Sequence, residues 1–88
     1  MLDKKIEHIS AKSIRAKIGS YLLDIYIQSD HSLTFILPMK RNELADYLNI
    51  PRPSLSREMC LMRNDGVIEF EGRKITITDL LKLEKSIQ

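Results

Sequence analysis

RNELADYLNIPRPSLSREMCLM, residues 41–62, reads as two short helices around a tight turn. In its first half Leu44, Ala45 and Leu48 share one face at spacings i, i+1 and i+4, so residues 41–48 form a short amphipathic helix. Ala45 is small where two helix axes must cross closely. Asn49 tolerates left-handed dihedrals and ends that helix, and Ile50 plugs the corner. Pro51 and Pro53 would break a helix interior. Each is acceptable at the entry or in the first turn, where the missing N–H has no intrahelical partner, so the second helix begins near Arg52. Leu55, Met59 and Met62 then recur at i, i+4 and i+7 as one apolar stripe, with Arg52, Ser56, Arg57 and Cys60 largely off it. Neither helix is long enough to persist alone in water.

The flanking sequence provides what they pack on. Residues 67–70 (VIEF) and 74–78 (KITIT) are β-rich and joined by Glu71, Gly72 and Arg73, a hairpin in which Gly72 accommodates positive φ. Residues 33–37, stopped by Pro38, are a third strand, preceded by a polar loop at 28–32. A small antiparallel sheet covering one side of the helix pair makes a mainly α, α+β domain, a winged helix-turn-helix. Thr78 or Asp79 caps a last helix over residues 80–87. Toward the N-terminus, Ile14, Ile18, Leu22 and Ile25 set a helical stripe over residues 13–28, which Gly19 weakens by about 1 kcal/mol relative to Ala. Ser10 and Ser13 are both candidate N-caps, so a second helix meets this one there. Its apolar seam of Leu2, Ile6 and Ile9 has no place in so small a core and calls for a partner chain.

Composition fits one soluble intracellular domain: 88 residues, 43% of them apolar, are enough for a small core. The chain contains no repeat, low-complexity tract, signal peptide or run of 18 apolar residues, which argues against export and membrane insertion. The single Cys60 excludes an internal disulfide, and with only His8 and His31 it makes no metal site. Cys60 reads as an inert half-buried thiol, Met59 and Met62 as core, His8 and His31 as surface, and Tyr21, Tyr26 and Tyr47 as core or boundary aromatics. A net charge of +2 is only weakly basic. Distribution is more informative: Lys40, Arg41, Arg52, Arg57, Arg73 and Lys74 fall at the helix starts, on the polar side of the second helix and at the hairpin tip, where a duplex would lie. The competing reading is a solvated surface in which Glu43, Asp46, Glu58, Glu69 and Glu71 balance them; the helix-turn-helix pattern favours the duplex. No phosphate loop, acid–base pair or nucleophile motif supports an enzyme.

LPMKRNELADYLNIPRPSLSREMCLMRNDGVIEFEGRKITITD, residues 37–79, together with KSIRAKIGSYLL, residues 12–23, resembles the DNA-binding domain of the catabolite activator and FNR-type (Crp-Fnr) family of bacterial transcription regulators. Residues 43–68 carry the most specific part. In that family a sensor domain precedes a long dimerisation helix, and the winged domain binds palindromic operators. By that resemblance residues 1–12 are the end of the dimerisation helix and 13–88 the winged DNA-binding domain. Leu2, Ile6 and Ile9 become its dimerisation residues, and the chain is expected to be a fragment of a longer regulator.

The resemblance also implies roles. Arg52, Ser56 and Arg57 lie on the recognition helix, about residues 52–64, where relatives contact base edges, guanine being the natural bidentate target of Arg. Arg41, Asn42, Ser54, Gly72 and Arg73 fall at backbone-contacting positions of the first helix, the second helix and the wing, residues 67–78. Three residues depart from the family pattern. Pro53 stands where the best-known member has a base-reading Glu, Lys40 replaces the usual capping hydroxyl, and Glu71 places a negative charge beside the wing tip. The implied partners are palindromic double-stranded DNA and RNA polymerase. The chain pairs as a homodimer in the full-length regulator and is a monomer or weak dimer by itself. It has a cytoplasmic location, no membrane, and no cofactor. A winged-helix module for protein contact without DNA binding is the alternative.

Overall fold

In a computed structural model, residues 13–87 are described. The seam of Leu2, Ile6 and Ile9 lies outside them. In chain order the elements are α1 (Ile14–Gln28), β1 (Thr34–Ile36), α2 (Arg41–Leu48), α3 (Arg52–Asn64), β2 (Ile68–Glu71), β3 (Lys74–Ile77) and α4 (Leu80–Ile87). Ser13 is the N-cap of α1, its Oγ accepting from the Ala16 N–H at 2.9 Å, which settles which of the two serines starts this helix. Two other boundaries also follow their local chemistry. Asn49 adopts φ 59°, ψ 49° and closes α2, and α3 begins with Pro51 at its N-cap and Pro53 in its first turn.

The helix pair and the small sheet enclose one core. Ile18, Leu22, Leu44, Leu55, Met62, Ile68, Ile75 and Leu83 are each fully buried, so every element except β1 contributes at least one of these, and β1 adds Phe35. Ala45, 2% exposed, is the small residue at the α2–α3 crossing, and Ile50, 5% exposed, closes the corner after it. No polar or charged residue of the described set is buried.

The sheet is antiparallel with order β1-β3-β2, so β3 is central. Thr34 faces Thr76 across one pair, and Glu71 faces Lys74 at the end of the other. β1 and β3 are shorter than the sequence predicts, and β2 is shifted by one residue, so that Glu71 belongs to the strand and not to the turn. Leu33, Leu37, Val67 and Thr78 lie just outside the ladder, although Ile77 still donates to the Leu33 carbonyl at 2.7 Å and Thr78 to the Val67 carbonyl at 3.0 Å. The chain leaves α3 through Gly66 at φ +78° and crosses the hairpin tip through Gly72 at φ +61°. Both are positions a side chain would strain.

Helix α4 starts on Asp79, whose Oδ1 accepts from the Lys82 N–H at 3.1 Å; of the two candidate caps, the carboxylate makes this bond, and it suits the positive end of the helix. α4 lies against α1 over Gly19. A Cβ built on Gly19 would stand 3.5 Å from both Leu83 Cδ1 and Ile87 Cγ1, an ordinary van der Waals separation. Gly19→Ala therefore fits without moving α4 and removes the entropic cost of a glycine in a helix interior. It is expected to stabilise the domain by about 0.5–1 kcal/mol, read as a raised urea midpoint; a lower midpoint would show that α1 and α4 need the missing methyl.

Candidate nucleic-acid interface

The stripe Leu55, Met59 and Met62, at most 1% exposed, fastens α3 to the core and turns its other side outward. Arg57 and Cys60 are exposed there, and Arg52 Nη1 donates to Ser56 Oγ at 2.8 Å, one turn away. The three residues expected to read bases thus occupy one side of one helix. Ser54, partly buried, uses its backbone N–H on the Pro51 carbonyl at 3.0 Å, leaving its hydroxyl at the helix entry. Two expectations are corrected. Cys60 is exposed, not half-buried, because it follows Met59 by one residue and so rotates off the apolar stripe. Tyr47 is 67% exposed, neither core nor boundary, since Leu44 and Ala45 take the inner face of α2; its ring pairs with Tyr21, at 5.6 Å between centroids.

The backbone-contact candidates converge from distant parts of the chain. Arg41 opens α2, yet its Nη2 donates to the carbonyl of Gly72, 31 residues away, at 2.5 Å. This places the wing tip beside the start of the helix pair. Arg73 and Asn42 are exposed, and the Arg73 carbonyl accepts from the Leu37 N–H at 2.8 Å, tying the hairpin to the end of β1. Lys40 has lost the capping hydroxyl, but Glu43 Oε1 accepts from the Lys40 N–H at 2.9 Å, which retains the reciprocal half of a capping box. Glu71 faces Lys74 across the hairpin, so an opposite charge stands directly across from the wing acid.

Two features were not visible in the sequence. Phe70 carries two guanidinium groups on its ring, Arg63 at 4.5 Å and Arg41 at 5.0 Å from the centroid. Arg41 is the more enclosed cation: burial first, and the charge of Arg52 second, hold its pKa below the usual guanidinium value, while it stays protonated at neutral pH. The sequence signal for Phe70 was its alternation with the core residue Ile68, two positions earlier on the same strand. Arg63 had none, being a single exposed cation in the last turn of its helix.

The second feature is Arg15, whose Nε meets Glu58 at 2.6 Å and whose Nη1 meets Asp65 at 2.8 Å. Burial pulls its pKa down, but the bonds to Glu58 and Asp65 outweigh it, and the net shift is upward. This pairing fastens α1 to the back of α3 and neutralises Glu58. Arg15→Ala is expected to cost no more than about 1 kcal/mol, as partly exposed pairs do. The loss should shrink as salt rises, in thermal melts at two ionic strengths; a cost independent of salt would indicate that packing, not charge, holds this contact.

A helix pair whose second member is held to the core behind its polar face, with a β-hairpin tied to the first, defines a winged helix-turn-helix protein. Residues 16–86 match the model of the Crp-like helix-turn-helix domain, and the chain belongs to that family. Among curated relatives, the transcriptional activator protein FnrL of Cereibacter sphaeroides is 34% identical over 85% of this chain and 34% of its own length. Transcriptional activator protein FnrA of Stutzerimonas stutzeri is 28% identical over 85% of this chain and 32% of its own. The chain therefore spans about a third of the length of these relatives. In three dimensions it is similar to a putative transcriptional regulator of the Crp/Fnr family from Eubacterium rectale, with 26% identity, TM-score 0.74, and coverage of 93% of this chain and 37% of that one. FixK2 from Bradyrhizobium japonicum shares the fold, at 19% identity and TM-score 0.77, over 99% of this chain and 48% of that one. The family is one of transcription regulators rather than enzymes. Among the described residues no helix is long and apolar enough to cross a membrane.

Proposed function

We propose that this chain binds duplex DNA in a bacterial transcription regulator, with α3 in the major groove and the β2–β3 wing on the backbone. Arg52, Ser56 and Arg57 face base edges, Arg being suited to the O6 and N7 acceptors of guanine. Arg41, Asn42, Ser54, Gly72 and Arg73 serve the phosphates. The observation that carries this reading is the two-sidedness of α3: a stripe at most 1% exposed is locked into the core, and the opposite side presents two arginines and a hydroxyl. Such a helix is held rigidly enough to present side chains in register with base pairs. Nothing in this activity requires a cofactor held by the chain itself.

Partners follow from the same reading. Palindromic operators need two copies with recognition helices about 34 Å apart, and Leu2, Ile6 and Ile9 are the residues proposed to pair them. Three apolar side chains per copy offer only a few kcal/mol before association entropy is subtracted, so we expect a monomer or weak dimer that pairs on a full operator. RNA polymerase is the proposed protein partner. The rival reading, protein contact without DNA, has one observation on its side, the Tyr47 ring, 67% exposed beside Tyr21.

A titration with labelled duplex at several salt concentrations separates them. With about four phosphates neutralised, log K should fall against log salt with a slope near −3.6, each contact contributing about −0.9. An affinity indifferent to salt would remove the DNA reading.

A further inference from the structure

The junction between α2, the end of α3 and the wing concentrates arginines that no carboxylate of the described residues pairs. Arg41 and Arg63 share the Phe70 ring at 5.0 and 4.5 Å. Among the described residues the ion pairs are those of Arg15, so no carboxylate stands within pairing distance of Arg41, Arg52 or Arg63. The groups holding the two guanidiniums are an aromatic face and the Gly72 carbonyl, which Arg41 Nη2 reaches at 2.5 Å. Arg41 Nε is buried with no hydrogen-bond partner, a costly state for a charged donor. Arg52 is the like charge that acts on Arg41, and a ring quadrupole offsets only part of such repulsion. Cations without a carboxylate partner, at the seam between helix pair and wing, suit an anion.

We propose that Arg41, Arg63 and Phe70 form one phosphate-binding unit of the DNA backbone interface, in which Arg63 is a second cationic arm beside Arg41 and Phe70 is the positioning residue that holds both. This rests on the DNA-binding reading and adds to it a contact at the C-terminal end of α3, away from the base-reading residues. Phe70 supplies a flat, electron-rich surface on which a planar guanidinium rests, leaving the N–H groups of the exposed Arg63 and the Nη1 of Arg41 for a phosphate oxygen. The Arg41 bond to Gly72 ties that arm to the wing tip.

The test is the salt slope of binding to a short mixed-sequence duplex, because a backbone contact is blind to sequence. Arg63→Ala, an exposed position, should make the slope shallower by about 0.9, the value of one neutralised phosphate. Lys85→Ala, a cation on α4 outside the cluster, should leave it unchanged. Phe70→Leu keeps an apolar strand residue but removes the ring, and should lose as much as about 1.8 if both arms are released; Phe70→Tyr should restore the native slope. A purely apolar packing role would instead be filled by Leu. An unchanged slope in Arg63→Ala, an equal loss in Lys85→Ala, or a native slope in Phe70→Leu would each overturn the unit while the wild-type slope leaves DNA binding standing. A wild-type protein whose binding ignores salt would remove both.

Discussion

Replacing Leu55 by Ala is expected to lower the unfolding free energy by about 2–5 kcal/mol. Leu55 is fully buried and sits one turn into α3, where its own N–H and that of Ser54 both bond the Pro51 carbonyl at 3.0 Å. That doubly held turn, with Pro51 and Pro53 fixing its φ angles, prevents the helix from sinking into the space a removed isobutyl group leaves. The cavity term is therefore near its full value. Domains of this size have roughly 5–15 kcal/mol to lose, so the variant should be close to the unfolding threshold, and its DNA affinity should fall with the folded fraction. Urea denaturation of the two proteins reads the difference; a loss below about 1 kcal/mol would mean that Leu55 is not the fastening of α3 to the core.

The second large effect concerns specificity. Arg57→Ala is expected to cost about 1–3 kcal/mol on a preferred half-site and to relax preference at one base position. Arg41→Ala should weaken all duplexes alike. The contrast follows from their placement: Arg57 is exposed on the outer side of α3, whereas Arg41 is engaged with Gly72 and Phe70 at the wing. Competition binding on preferred and scrambled duplexes distinguishes the two. Equal losses on both duplexes for both variants would assign Arg57 to the backbone, with Arg52 the next base-reading candidate.

Much of this was legible because it rests on short-range chemistry. The spacing of Leu55, Met59 and Met62, the left-handed tolerance of Asn49, the small Ala45 and the proline-marked entry of α3 each act within one or two turns of chain. They located α2 and α3, and Gly72 located the hairpin. The strand ends were less legible. Val67 and Thr78 are as β-favouring as their neighbours, and the ladder stops where α3 and α4 begin to dictate backbone direction. Long-range polar pairing was not legible at all. Glu58 reads as a free surface acid until α1 brings Arg15 to it, 43 residues away. Likewise Phe70, Arg41 and Arg63 come from three elements whose juxtaposition only the folded chain provides. For the same reason, Arg41 appeared in the sequence as a phosphate-contacting residue and in the fold is also the tie between α2 and the wing.

The central claim is that α3 reads base sequence in duplex DNA, and selection from a random-sequence duplex pool tests it most directly. Successive rounds of binding and amplification with the wild-type chain should enrich a short motif containing guanine, the natural bidentate target of the arginines proposed to read bases, Arg52 and Arg57. The same selection with Arg57→Ala should lose information at one position of that motif. A bound pool whose base frequencies stay those of the starting mixture would contradict the account, even if the chain retained salt-dependent affinity for DNA.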